Sequence, residues 1–324
     1  MAPVVFLVTL VVFLSARLVP GGPVEALTQG RRMSPEAIER FRVDLGLDQP
    51  WYVQYWKWAG KILSGDFGTS IRSRRLVVVE ILYNFPHTVE LVFASLLLAV
   101  PFGILLGVYA ALKQHSVFDY FCTTLSVVGV SMPAFWLALM LMLLFSVWLG
   151  WLPTSGLLDP RVALKPITHF HLLDALITRN FVAIGDFFHH LVLPSVVLAT
   201  IPLAYITRMV RSSMLDVLRL DYVSVARAKG VPETRVILKH ALRNALIPVT
   251  IVIGTVTGLL LGGAILTETI FGLPGMGRLI VESILDRDFP VIQACVLVFA
   301  LSYSLVTLLT DITCQLIDPK ARYD

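Results

Sequence analysis

Six long apolar segments, at about 3–19, 88–112, 120–149, 191–207, 246–267 and 291–313, limit what this chain can fold into. An α-helix rises about 1.5 Å per residue, so about 20 apolar residues cross the roughly 30 Å of bilayer hydrocarbon. Within that layer no water is at hand to pair a backbone N–H or C=O, and segments of this length satisfy their own backbone only as helices. The expected fold is therefore all-α: a polytopic membrane protein with six transmembrane helices in a single domain over 1–324. The first and fourth segments are short and the third is long, a difference that tilt or a tail in the interface absorbs. Composition agrees, since 15% of the residues are charged where soluble domains carry about 25%.

A net charge of +4 raises the question of nucleic acid. The basic residues gather in loops beside the apolar segments, where orientation in the bilayer accounts for them, so no nucleic-acid partner is expected. Cys122, Cys295 and Cys314 lie in or beside apolar runs and imply packing rather than a disulfide framework. The opening MAPVVFLVTLVVFLSARLVP lacks a basic leader and a small-residue cleavage site, and reads as a retained first span.

Residues 20–86 form the longest loop, leaving the membrane through Pro20-Gly21-Gly22-Pro23. Ser34 can cap a helix with Pro35 at its first position; Ile38, Phe41, Val43 and Leu45 supply its apolar residues and Gly46 ends it. Trp51, Tyr52, Tyr55, Trp56 and Trp58 then form an aromatic cluster expected at headgroup level, so that the loop reads as a small external cap against membrane lipid. It holds nine Lys/Arg, but loops beyond about 60 residues cross largely regardless of charge. The short parts decide: 113–119, 208–245 and 314–324 hold eleven Lys/Arg, against five in 150–190 and 268–290. Both termini and the 208–245 loop are therefore expected in the cytoplasm.

Between Arg208 and Arg243 stand eight Lys/Arg and three acids, Asp216, Asp221 and Glu233. Tyr222 to Lys229 reads as a short helix ended by Gly230. Pro232 and Glu233 start a second, running to about Asn244, with Lys239, His240 and Arg243 near its negative end. Charge alone fits a basic juxtamembrane linker equally well.

Order along the segment is more specific. ARAKG at 226–230 followed by HALRNALIP at 240–248 resembles the coupling loop of ABC-importer permeases, in the form of the peptide and nickel branch. The wider superfamily has Glu-Ala-Ala before the glycine; here Ser224 and Val225 replace the first two, and Pro248 comes five residues later than the general pattern has it. PGGPV at 20–24, LGLDQPWYVQY at 45–55, GDFGTS at 65–70, SMPAFW at 131–136, GLLLGGAILTETIFGLPGMGRL at 258–279, RDFPVIQACVLVFALSY at 287–303 and LIDPKAR at 316–322 extend the resemblance over nearly the whole chain.

The resemblance implies a type I importer permease (MetI-like) architecture in a bacterial inner membrane. The long loop after the first span points to the first, B-type permease. Its implied partners are a second, C-type permease, two ATP-binding cassette ATPases and an external or periplasmic binding protein. The implied cargo is a short peptide, with nickel or a small solute such as glutathione as the alternative. Ser224, Ala226, Arg227, Ala228, Lys229, Gly230, His240, Arg243 and Asn244 are the implied ATPase-coupling residues.

The chain carries no G-x-x-x-x-G-K-[ST] phosphate loop, so any ATPase is another subunit. No catalytic residue, cofactor or metal is expected. His169 with His171, and His189 with His190, lack a third ligand at a fixed spacing, and His87 with Glu90 reads as an interface polar pair. Glu268 and Asp311 sit at span edges and either pair with basic neighbours or face a cavity. A proton-coupled carrier would place ionisable residues in mid-span, where this chain has almost none, and an intramembrane enzyme would need a nucleophile or metal set.

Overall fold

The computed structural model describes residues 2–18, 36 and 48–317. The helix expected over Ser34–Gly46, the PGGPV turn and most of the LIDPKAR tail lie outside them. The described chain is helical, with a lone antiparallel bridge between Thr69 and Leu76. In order the helices are α1 (Ala2–Leu18), α2 (Trp51–Leu63), α3 (Val77–Leu112), α4 (Val117–Ser131), α5 (Ala134–Met142, continued by a π turn over Leu143–Trp148), α6 (His171–Ile177), α7 (Phe181–Leu218), α8 (Asp221–Ala228), α9 (Glu233–Arg235), α10 (Arg243–Gly263), α11 (Ile265–Ile270), α12 (Met276–Leu285) and α13 (Phe289–Ile317).

Each of the six apolar segments is helical. By length and composition α3, α7, the run from Glu233 through α10, and α13 can each cross a membrane, and α4 with α5 makes a fifth span if the bent pair counts as one. The first segment, α1, is shorter. Boundaries differ from the sequence reading because helices continue past the apolar core of each segment. α3 begins at Val77 rather than 88, and α7 runs from Phe181 to Leu218 rather than from 191 to 207. The third segment is not one tilted rod: α4 and α5 meet at 102° across Met132–Pro133. Met132, held extended by the proline that follows it, ends α4.

The chain divides into two compact units, Met1–Thr88 with Pro274–Ser302, and Val89–Leu273 with Tyr303–Asp324. In the first, α2 packs on α1. Phe13 is fully buried with its ring edge-on to Tyr55 at 5.4 Å, and Thr9 and Tyr55 share a hydroxyl hydrogen bond of 2.8 Å. The aromatic cluster is thus divided: Tyr55 is buried, while Trp51, Tyr52 and Trp56 are exposed. The same unit holds a polar knot. The buried Asp288 carboxylate accepts the Ser70 hydroxyl at 2.5 Å and the Arg72 N–H at 3.1 Å. Arg72 reaches Glu282 at 2.8 Å and Asp286 at 3.0 Å, and Arg278 reaches Glu282 at 2.8 Å. Burial pushes the Glu282 carboxyl up, but Arg278 and Arg72 outweigh it and hold the group below the usual carboxylate range.

The second unit is a helical bundle around α7. One apolar cluster joins Leu91, Val92, Phe187, Leu191, Val197, Phe271 and Leu273; another joins Ala99, Ile206, Val210, Met214, Ala241, Ala245 and Val249. Pro194 and Pro202 are buried inside α7. Close approach is built from glycine: a Cβ at Gly107 would stand 2.6 Å from Val210 and 2.7 Å from the Thr207 carbonyl, and one at Gly103 2.8 Å from Ile206. The Gly103-x-x-x-Gly107 surface is therefore the seat of α7. Gly254 and Gly258 do the same for α10 against Thr310 and Tyr303. In lipid such contacts replace the hydrophobic drive that packs helices in water.

Candidate functional site

The charged segment after α7 folds as a corner. Leu220 is extended, Asp221 opens α8, and Val223 points inward, fully buried. Ser224, Arg227, Ala228 and Lys229 are exposed and Ala226 is half-buried. Gly230 then turns the chain at φ +75, with open space where a Cβ would stand. Backbone conformation, not crowding, calls for glycine there. Arg227 reaches across the corner to Glu233 at 2.7 Å. The hydrogen-bonded Glu233 carboxylate raises the Arg227 guanidinium above its usual value, but both side chains are well exposed and water screens the pair, so it adds little stability.

The second helix does not end near Asn244. α9 widens into a π turn over Val236–Leu242 and passes without a break into α10, with Pro248 inside. A proline removes one N–H···O bond, which bends a packed helix without ending it. Lys239, His240 and Arg243 consequently lie in the first turns of a long helix rather than at a negative end. Val236 and Ala241 anchor this stretch, both fully buried.

Of the nine residues the sequence singled out, Ala226, Arg227, Ala228, Lys229 and Gly230 sit together at the corner, with Ser224 on the exposed side of α8. His240 and Asn244 meet through a residue the sequence reading passed over: Asn244 Nδ2 donates to the Tyr222 hydroxyl at 2.7 Å and to the His240 carbonyl at 3.0 Å. Arg243 is exposed. Val225, read in the sequence only as a replacement in the motif, and Leu238 are 50% and 62% exposed on this charged segment. Apolar residues with no buried role on a charged helix were the available signal, and their burial was what sequence could not supply.

Deeper in the unit, Arg211 of α7 forms a two-pronged ion pair with Asp119 of α4, at 2.5 and 2.7 Å. The Asp119 carboxylate, 2% exposed, also accepts the His115 N–H at 3.0 Å, and Ser116 caps α4. Sequence reading counted Arg211 among the loop's basic residues; it belongs to the bundle.

The structure brings together ligand atoms that the sequence spacing left apart: those of Asp186, His189 and His190 lie within 4.8 Å of one another, as do those of His87, Glu90 and His171, and either group could hold a metal ion. His189 shares a 2.7 Å hydrogen bond with the Trp151 carbonyl, His190 Nδ1 lies 2.9 Å from the Asp186 carbonyl, and the Asp186 carboxylate accepts the Asp159 N–H at 2.6 Å. Together they tie the loop before α6 to α7. Glu90 accepts the Leu172 N–H at 2.8 Å and lies 3.7 Å from His171, which holds the start of α6. Asp174 accepts N–H groups from Ile167 and Thr168 and the Thr168 hydroxyl. Burial would raise that carboxyl, yet these donors keep it below its ordinary value.

Residues 103–323 match the family described as binding-protein-dependent transport system inner membrane component. The chain belongs to this family. Residues 1–92 match the corresponding N-terminal component. Over its full length the permease is similar to the di/tripeptide transport system permease protein DppB of Pseudomonas aeruginosa, with 48% identity covering 99% of this chain and 96% of that one. It is 43% identical to the dipeptide transport system permease protein DppB of Escherichia coli, over 98% and 94% of the two chains. It is 42% identical to the glutathione transport system permease protein GsiC of Salmonella typhimurium, over 99% and 95%. The permease is thus a multi-pass inner-membrane transport subunit rather than an enzyme, and as one component of such a system it works with others.

Proposed function

We propose that this permease is the first, B-type membrane subunit of an ATP-driven importer of short peptides. It forms half of the translocation pathway beside a C-type permease, receives cargo from an external binding protein, and is driven by two ATPases. The observation that carries the reading is the 48% identity with a di/tripeptide permease along 99% of the chain. The glutathione relative, at 42%, supports the alternative cargo, itself a short peptide.

The corner of α8, Gly230 and α9 is the surface for the ATPases. Small residues at its tip permit close approach, and the exposed Val225 and Leu238 give it apolar area that water disfavours. The orientation follows from the eleven and five basic residues of the short loops, with both termini and 208–245 inside and the loop over 20–86 outside.

Reconstitution of the whole complex in nanodiscs tests the cargo. Binding protein loaded with dialanine is expected to stimulate ATP hydrolysis; stimulation by glutathione alone would move the reading to the alternative. Ser64→Cys is expected to react with an impermeant thiol reagent added outside cells, and Ser224→Cys is not. The reverse pattern would overturn the orientation.

A further inference from the structure

Tyr222 lies outside the coupling residues that the sequence marked, yet it makes the polar connection between α8 and the helix that follows. Its hydroxyl accepts from Asn244 Nδ2 at 2.7 Å and donates to the His240 carbonyl at 3.2 Å. Asn244 donates to the same carbonyl at 3.0 Å. The three bonds close a triangle whose corners belong to α8, to the π turn and to the first turn of α10.

Position gives the triangle its meaning. Beside it, α8 and the π turn bury Val223 and Val236, and apolar contact has no preferred direction, so two such surfaces slide by a fraction of an ångström at little cost. Hydrogen bonds weaken steeply with misalignment and resist that sliding. The π turn is the wider and less well bonded part of the helix, the place where a long helix yields. His240 contributes its carbonyl from inside that turn.

We propose that Tyr222 and Asn244 are positioning residues that transmit movement of α8 into the foot of α10. By holding the π turn to α8, they make a displacement imposed at the corner turn the span, where apolar contact alone would absorb it. The proposal rests on the coupling reading above and deepens it: docking belongs to the corner, and transmission belongs to this triangle.

Tyr222→Phe deletes the hydroxyl and keeps the ring; Asn244→Leu keeps the size and deletes the donor. In the full complex, Tyr222→Phe is expected to retain ATPase association and basal hydrolysis, while dialanine carried per ATP hydrolysed falls about five-fold, the scale of one lost hydrogen bond, and Asn244→Leu is expected to lower the same ratio. The double variant is expected to be no worse than Tyr222→Phe, because the bond that Asn244 keeps in that variant, to the His240 carbonyl, lies within its own helix and does not reach α8. A merely structural defect would lower transport and hydrolysis together and leave their ratio unchanged. Unchanged transport per ATP in both variants would overturn the proposal, as would additive losses or a loss of ATPase association in Tyr222→Phe. Should Tyr222→Phe fail to assemble, Asn244→Leu decides by the same ratio. If the unaltered corner does not bind an ATPase, the coupling reading itself fails, a result that Gly230→Val and Ala226→Glu report separately.

Discussion

Around α7 the chain is fastened by bare glycine contacts and the buried Arg211–Asp119 ion pair; at the corner of α8 and Gly230 it is fastened by bonds that water reaches. The bundle has 67% of the apolar window of α7 buried, against 33% for α3 and 22% for α13, although α7 is the least apolar of these spans. The buried face of α7 joins large apolar residues, among them Phe187, Ile206 and Met214, to the pairing of Arg211 with the buried Asp119. The corner shows the opposite arrangement, with Val225 and Leu238 facing out from a charged segment.

If that contrast holds, Arg211→Met does the greatest damage. It leaves the Asp119 carboxylate buried with the His115 N–H and without its counter-charge, at a cost of about 3–5 kcal/mol. Loss of folded permease after detergent extraction, read by size exclusion, is the expected result; a normal yield would show that water reaches the pair. Gly107→Leu comes next. Its side chain meets the Thr207 carbonyl, which cannot swing aside, and overpacking of this kind costs about 1–3 kcal/mol. Lowered thermal stability of the permease, with unchanged ATPase affinity in what remains folded, is the outcome that fits.

At the corner the effect moves from stability to association. Gly230→Val forces a β-branched residue into left-handed backbone at about 1–2 kcal/mol, and Ala226→Glu places a charge on the face read as the contact. Both are expected to insert and to bind the second permease, yet to lose ATPase in a pull-down; retained ATPase would show that docking lies elsewhere. Smallest of all, Arg235→Ala removes an exposed side chain and is expected to change stability and hydrolysis by less than about 0.5 kcal/mol. A large loss there would erase the distinction between the corner's small tip and its charged flank.

Much of this was legible beforehand. Apolar length marked six helical segments and Gly230 marked the corner, because each depends on a property local to a few residues. The end of the second helix of the corner was misplaced at Asn244, since a proline ahead reads as a stop and only packing decides that the helix continues through Pro248. The third segment read as a long rod for a similar reason: Pro133 announces a break, but the 102° between α4 and α5 depends on what each half packs against.

By itself, then, the sequence determined an all-helical membrane chain, its polar corner and its resemblance to importer permeases, since hydropathy, turn chemistry and motif order are carried by neighbouring residues. Tertiary structure alone decided that Arg211 belongs to Asp119, that Tyr222 belongs to Asn244 and His240, and that Val225 and Leu238 stay in solvent. Those partners are far apart along the chain, and no local preference says which distant side chain will arrive.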